Sequence, residues 1–226
     1  MKALTPLAAV RRLPLTSLPP SASTSRAPSL VTALEFPVMT RETSVESTVA
    51  FANSFAGADI TAILRESGWL DAAHEPGAGG ESVLEVWLVR AAELLGPHAA
   101  DRAALASLLA LIFGYDASAI LRDAENQAVL ARAGARDVIR ELANRILAGG
   151  DVDSNRLKEI VEGIKEAVPY RSRAIFHPIR VALAGHAGDG ELDRVILLLD
   201  AAAKLPFAVA VKGTRHRMLE FCAALD

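Results

Sequence analysis

The chain has 226 residues, a length that fits one large domain or two small ones and is enough to bury a core. Apolar residues make up 51% and aromatics 5%, and a single cysteine excludes both a disulfide scaffold and a cysteine-based zinc site. With 24 Lys and Arg against 27 Asp and Glu, the net charge of −3 excludes a uniformly polybasic nucleic-acid binder while leaving room for a local patch.

The charge is unevenly spread. Residues 1–34 hold Lys2, Arg11, Arg12 and Arg26 and no acid; residues 35–155 carry a net −9 and residues 156–226 a net +2. Such asymmetry suggests a division of labour along the chain. Residues 1–40 are rich in serine and threonine, and their prolines include Pro14, Pro19, Pro20, Pro28 and Pro37, so a disordered leader is expected. The prolines break up the apolar region a secretory signal needs. A basic, serine-rich, acid-free stretch is the composition of an organelle transit peptide; the alternative is translation starting at Met39, with a cytoplasmic protein as the product. The uncharged run Ala103–Tyr115 is thirteen residues long, short of the roughly twenty a bilayer span requires, so a buried helix is expected and no membrane partner.

From residue 41 the pattern is helical almost throughout, with alanine and leucine dominant. Helices are predicted near 43–55, 59–67, 81–95, 99–113, 117–131, 135–148, 153–167, 175–184, 189–203 and 213–224. Glycine and proline mark the breaks between them. Thr43 with Glu46, and Ser82 with Glu85, have the spacing of capping boxes. Phe207–Val211 is the one β-like run, short and isolated. No fixed-period repeat is present. The seam falls at Ala148–Asp153, where Gly149 and Gly150 end one helix, Asp153 or Ser154 caps the next, and the charge changes sign. The expected architecture is all-α: an acidic helical bundle over 41–150 followed by a terminal helical bundle over 151–226.

Catalytic chemistry is not signalled. Gly185-His186-Ala187-Gly188-Asp189-Gly190 lacks the lysine and the spacing of a P-loop and reads as a helix–helix turn. The histidines at 74, 98, 177, 186 and 216 have no helical i, i+4 partner among themselves, so neither metal nor cofactor is expected. Cys222 reads as a core residue, and Glu159, Glu162 and Glu166 as a solvated helix face. Basic residues gather between 165 and 217, where nine bases face five acids. A solvated surface explains such density; so does a patch that tracks phosphates, for which arginine's planar fork is suited.

One segment is far from generic: Arg171-Ser172-Arg173-Ala174-Ile175-Phe176-His177-Pro178-Ile179-Arg180-Val181-Ala182-Leu183-Ala184-Gly185. Pro178 suits the first turn of a helix and Gly185 its end. Ile175, Ile179, Ala182 and Leu183 share one face, which leaves Arg180 off the buried stripe. The string resembles the last anticodon-binding subdomain of bacterial-type glutamyl-tRNA synthetases, class I aminoacyl-tRNA synthetases. There a basic, glycine-containing lead-in precedes Leu-Phe-x-Pro-Leu-Arg-x-Ala-Leu-Thr-Gly, and a Gly-Pro-Glu-Leu-like helix start follows. The likeness extends over about residues 59–203 and is strongest over 153–200. The chain departs from the pattern at Ala184 for threonine, at Asp189-Gly190 for Gly-Pro, and in the lead-in, where Ser172 stands between the basic residues instead of glycine.

The catalytic signatures of that family, His-Ile-Gly-His-like and Lys-Met-Ser-Lys-Ser-like, do not occur, nor does the strand–helix alternation of a Rossmann domain. The resemblance therefore implies a stand-alone tRNA-binding or RNA-binding module of protein biosynthesis, without aminoacylation of its own, serving a synthetase catalytic protein in trans. Its expected RNA contacts are Lys165, Arg171, Arg173, Arg180, Lys212, Arg215 and Arg217. Two alternatives stand beside it: a helical protein-interaction domain that kept the fold and lost RNA, and a truncated fragment of a glutamate–tRNA ligase.

Overall fold

The computed structural model describes residues 55–71 and 82–225. The expected leader and the Thr43–Glu46 box lie outside them. Among the described residues ten α-helices and no strand occur. Helix α1 (Gly57–Glu66) buries Ile60, Ile63 and Leu64 at i, i+3, i+4 spacing. Helix α2 (Val83–Leu95) opens with the predicted capping box: the Glu85 amide donates to Ser82 Oγ at 3.2 Å, and the Ser82 amide donates to Glu85 Oε2 at 2.8 Å. A 3₁₀ turn (Gly96–His98) leads to α3 (Arg102–Phe113), capped by Asp101.

The helix predicted over 117–131 is two: α4 (Ala117–Arg122) and α5 (Ala124–Leu130). Asp123 makes the break. Its backbone is extended, and its carboxylate accepts the Asn126 amide at 2.9 Å. A short acid that can cap a new helix competes with continuing the old one. Helix α6 (Ala135–Leu147) follows Gly134, and α7 (Ser154–Ala167) is capped by Asp153, which accepts the Arg156 amide at 2.8 Å. Helix α8 (Arg173–Ala184) starts two residues before the predicted 175, so Pro178 sits in its interior rather than its first turn and removes one i→i−4 bond. It ends at Gly185, whose amide donates to Arg180 O at 3.0 Å and Val181 O at 3.2 Å. The stretch to Gly190 is the expected helix–helix turn. Helices α9 (Glu191–Ala202) and α10 (Thr214–Leu225) complete the chain.

Helix α9 occupies the middle of the core. Val195, Ile196, Leu198 and Leu199 are fully buried, and α2, α3, α8 and α10 all pack on α9. A run apolar nearly all round its circumference is what a central helix requires. The Trp87 indole N–H of α2 donates to Leu198 O at 3.2 Å. Phe207 sets its ring edge against Trp87 and Phe113, at 5.2 and 5.0 Å between centroids, while Trp69 stacks on Phe113 at 4.7 Å. The β-like run 207–211 is thus an aromatic plug, tied by the Ala208 amide to Trp69 O at 2.9 Å. At the 148–153 turn, the Val152 amide donates to Asp200 Oδ2 at 2.7 Å, and helices from both sides of the turn share the core. Among the described residues no helix is long and apolar enough to cross a membrane.

Candidate nucleic-acid interface

Two of the arginines expected at the surface point inward. Arg180 is 8% exposed. Its Nε and Nη2 donate to the two carboxylate oxygens of Asp193, each at 2.8 Å, and its Nη1 donates to Gly188 O at 2.8 Å. The Asp193 hydrogen bond raises its pKa further, against the opposing effect of burial. The fork that could grip a phosphate instead locks α8 to the start of α9.

Arg217 is 0% exposed. Its guanidinium donates to Lys212 O at 2.8 Å, Leu183 O at 2.7 Å, Leu111 O at 3.0 Å and Ile112 O at 2.6 Å, and lies 4.5 Å over the Tyr115 ring. Leu111 and Ile112 are in the last turn of α3 and Leu183 in that of α8, where carbonyls lack intrahelical partners and the helix dipole favours a cation. Burial pulls its pKa down to about 10, which still leaves it charged at neutral pH. In both residues each guanidinium nitrogen already donates to a partner inside the protein.

Lys212 and Arg215 lie at the start of α10. Lys212 pairs with Glu220 at 2.7 Å and donates to Tyr115 O at 3.0 Å; exposed Arg215 donates to Leu147 O at 2.7 Å. Leu147 is the last residue of α6, a helix of 13 residues, about 20 Å long. Lys165, Arg171 and Arg173 belong to the other end of that helix.

There the α5–α6 turn meets the α7–α8 turn. Gly134 has φ +85°, and its α-carbon lies so close to the Tyr170 ring that a Cβ would overlap it. Only glycine meets both demands. The contact sets the turn that carries exposed Arg132 and Arg136 against the turn that carries exposed Arg171 and Arg173, and the charges of Arg132 and Arg173 both act on His177. Arg132, Arg136 and Arg173 make no side-chain hydrogen bond or ion pair among the described residues. Arg171 is held in place through Nη1, which donates to Lys165 O at 3.1 Å, Val168 O at 3.2 Å and Tyr170 O at 2.7 Å, capping α7. Lys165 is half-buried, paired with Glu162 at 2.7 Å and 6.0 Å from the Phe176 ring centroid. His177 records the local field: burial lowers its pKa first, then the charges of Arg132, Arg180 and Arg173, with Asp189 opposing. Its Nδ1 is buried and has no hydrogen-bond partner among the described residues.

The turn between the two arginines is strained. Ser172 has φ +50° and ψ −126°, and the Ala174 amide donates to Arg171 O at 3.1 Å. This is the first central position of a type II′ turn, where glycine is the ordinary occupant. It is also the lead-in position where the glutamyl-tRNA synthetase pattern has glycine. Arg132 and Arg136 escaped sequence reading because they stand in the acidic stretch; their one signal was the spacing Arg132-Ala133-Gly134-Ala135-Arg136 around the glycine break.

Fold and corner together define an all-α domain that presents a cluster of arginines suited to a polyanion. Residues 66–202 match the family described as anticodon binding domain, and the chain belongs to that family. It is also 28% identical over 119 residues to glutamate–tRNA ligase 2 of Syntrophus aciditrophicus (strain SB), over 50% of this chain and 23% of that protein. The chain thus corresponds to less than a quarter of the relative's length. No solved structure matches it. The family match takes in the arginine corner and ends before Lys212, Arg215 and Arg217.

Proposed function

We propose that this chain is a tRNA-binding module of the glutamyl-tRNA synthetase type, with no aminoacylation activity of its own, that acts in the cytoplasm alone or with a synthetase catalytic protein in trans. The observation that carries the reading is the corner of Arg132, Arg136, Arg171 and Arg173, inside the segment that belongs to the anticodon binding domain family. Guanidiniums without an internal counter-ion attract phosphate and release its counter-ions on binding. Lys165 lies beside the corner, paired with Glu162, while Lys212 and Arg215 stand at the far end of α6. The test is binding of the full chain to total tRNA across a salt series. Affinity is expected to fall steeply with salt, and reversal of Arg171 and Arg173 to Glu together to abolish binding. Absence of binding at low salt refutes the reading.

A second reading, a helical protein-interaction domain that kept the fold and lost RNA, draws on α2. Val83, Val86 and Val89 lie on its outer face at 76%, 49% and 47% exposure, and single-helix apolar stripes of this kind suit a protein partner. The same tRNA titration separates the two.

A further inference from the structure

A groove runs along α9. Arg194, Leu197 and Ala201 recur at three- and four-residue spacing and share one face of that helix, and Lys204 stands just past its end. The line is about 15 Å long. Two hollows of about 420 and 370 Å³ meet at Leu197. The first lies against α7 and the start of α8, the second against α2 and the 151–153 turn. Their lining is apolar at both ends: half-buried Leu157 and Phe176 in the first, exposed Val83 and Val86 in the second. The charges of the groove are one-sided in what they leave free. Every carboxylate on its lining has a partner. Glu162 pairs with Lys165, Asp193 with Arg180 and Asp151 with Lys204. Asp153 caps α7, and Asp200 accepts the amides of Val152 and Thr214. Arg90, Lys158 and Arg194 line the same groove and make no side-chain hydrogen bond or ion pair among the described residues. A polyanion such as RNA would answer these cations and leave the apolar lining uncovered. A helix with an apolar stripe and acidic flanks answers both.

We propose that this groove docks an amphipathic helix of a partner protein, acidic on either side of its apolar stripe. About ten residues of helix span the line from Arg194 to Lys204. The inference takes up the exposed valines of the protein-interaction reading and gives their partner a chemistry, without requiring that RNA binding be lost. It does not rest on the RNA reading: the groove reaches Lys165 at one end but uses none of the corner's four arginines.

The test measures fluorescence anisotropy of labelled helical peptides of about 14 residues, four turns, added to the full chain. One peptide carries leucines at i, i+3, i+4 and i+7 with glutamates beside them. A second has lysine for every glutamate, and a third reorders the acidic peptide so that no stripe forms. The acidic stripe is expected to bind at least about tenfold more tightly than either control. Lys158→Glu with Arg194→Glu, both at exposed positions, is expected to weaken it by about tenfold or more and to bring up binding of the lysine peptide. Circular dichroism confirms the fold of that variant. Reversal of Arg171 and Arg173 to Glu is expected to leave the acidic peptide bound; its loss there would place it at the corner and overturn the proposal. Absence of binding by the acidic stripe at low salt, or equal binding by the reordered peptide, also overturns it. Displacement of the peptide by tRNA, or weaker tRNA binding in the Lys158→Glu/Arg194→Glu variant, gives the groove to RNA and leaves the RNA reading standing. Peptide binding with no tRNA binding supports the groove and refutes the RNA reading.

Discussion

Replacing Arg217 separates a buried staple from an RNA contact. In Arg217→Met the side chain keeps most of its volume and loses its donors, so four carbonyls are left without them: Lys212 O, Leu183 O, Leu111 O and Ile112 O. The bonds to Leu183 O and Ile112 O are buried and those to Lys212 O and Leu111 O part-buried; at about 1 kcal/mol for each buried acceptor left unsatisfied, and about half that for the other two, the loss comes to roughly 3 kcal/mol. That is a large share of a total stability of about 5–15 kcal/mol for a domain of ordinary stability. Arg217→Lys keeps the charge, yet a single ammonium cannot span the ends of α3 and α8, and about half of the loss is expected to remain. Urea unfolding followed by circular dichroism measures both. The folded fraction of either variant is expected to bind RNA with the wild-type salt slope. A Met variant within about 1 kcal/mol of wild type, together with weakened RNA binding, would refute the staple and return Arg217 to the interface.

Ser172→Gly relieves a left-handed backbone of the kind that costs about 1–3 kcal/mol, against about 0.4–1 kcal/mol of added unfolded-chain entropy. A net gain of about 1 kcal/mol in urea unfolding is expected; no gain would show that the turn is not strained. Asp193→Asn takes the counter-charge from buried Arg180, and because the Asp193 side chain is 31% exposed the expected loss is about 2 kcal/mol rather than the full value for a buried pair. The double variant Arg180→Met/Asp193→Leu is expected to recover part of it; failure to do so would mean the pair sets the fold in some further way. Burial alone would raise the pKa of Glu220, but the Lys212 hydrogen bond and the Ala117 amide outweigh it and the pKa lies below its ordinary 4.5. The folded pKa is depressed, so the stabilisation is present above the unfolded value and lost as pH falls through the folded one. Glu220→Gln should therefore flatten the acid limb of the unfolding curve below about pH 4.5, and an unchanged limb would discount the contact.

The helices were legible because their signals are local. Caps three residues apart, apolar spacing and glycine ends located most of the described helices to within a few residues. The break at Asp123 was not, since no glycine or proline marks it and an aspartate in a helical run is common. The early start of α8 was hidden by Ser172, a residue that gives no hint of a positive φ. The inward turn of Arg217 had no local trace: its acceptors on α3 lie 105 and 106 positions away in the chain. Arg180 read as off the stripe, because the stripe was drawn from apolar residues and the buried side of a helix can be widened by an arginine that brings its own anion. The corner arginines Arg132 and Arg136 vanished into a regional charge average, and it takes the packing of α5 and α6 on α7 and α8, with Gly134 against Tyr170, to set their turn against that of Arg171 and Arg173.

The central place of α9 has a consequence for how the protein is made. Trp87 of α2 waits for Leu198 of α9, 111 residues downstream. At about 10 residues per second, a ribosome takes roughly 10 s to supply that partner, and for that interval the apolar faces of α2 and α3 are synthesised without their cover. A chain with so many distant pairings folds late in synthesis, when its last third has emerged. Chaperone occupancy during translation is therefore expected to rise as α3 appears and to fall once α9 clears the ribosome. A gene that lost the codons for α9 and α10 would yield an aggregation-prone chain rather than a shorter binder.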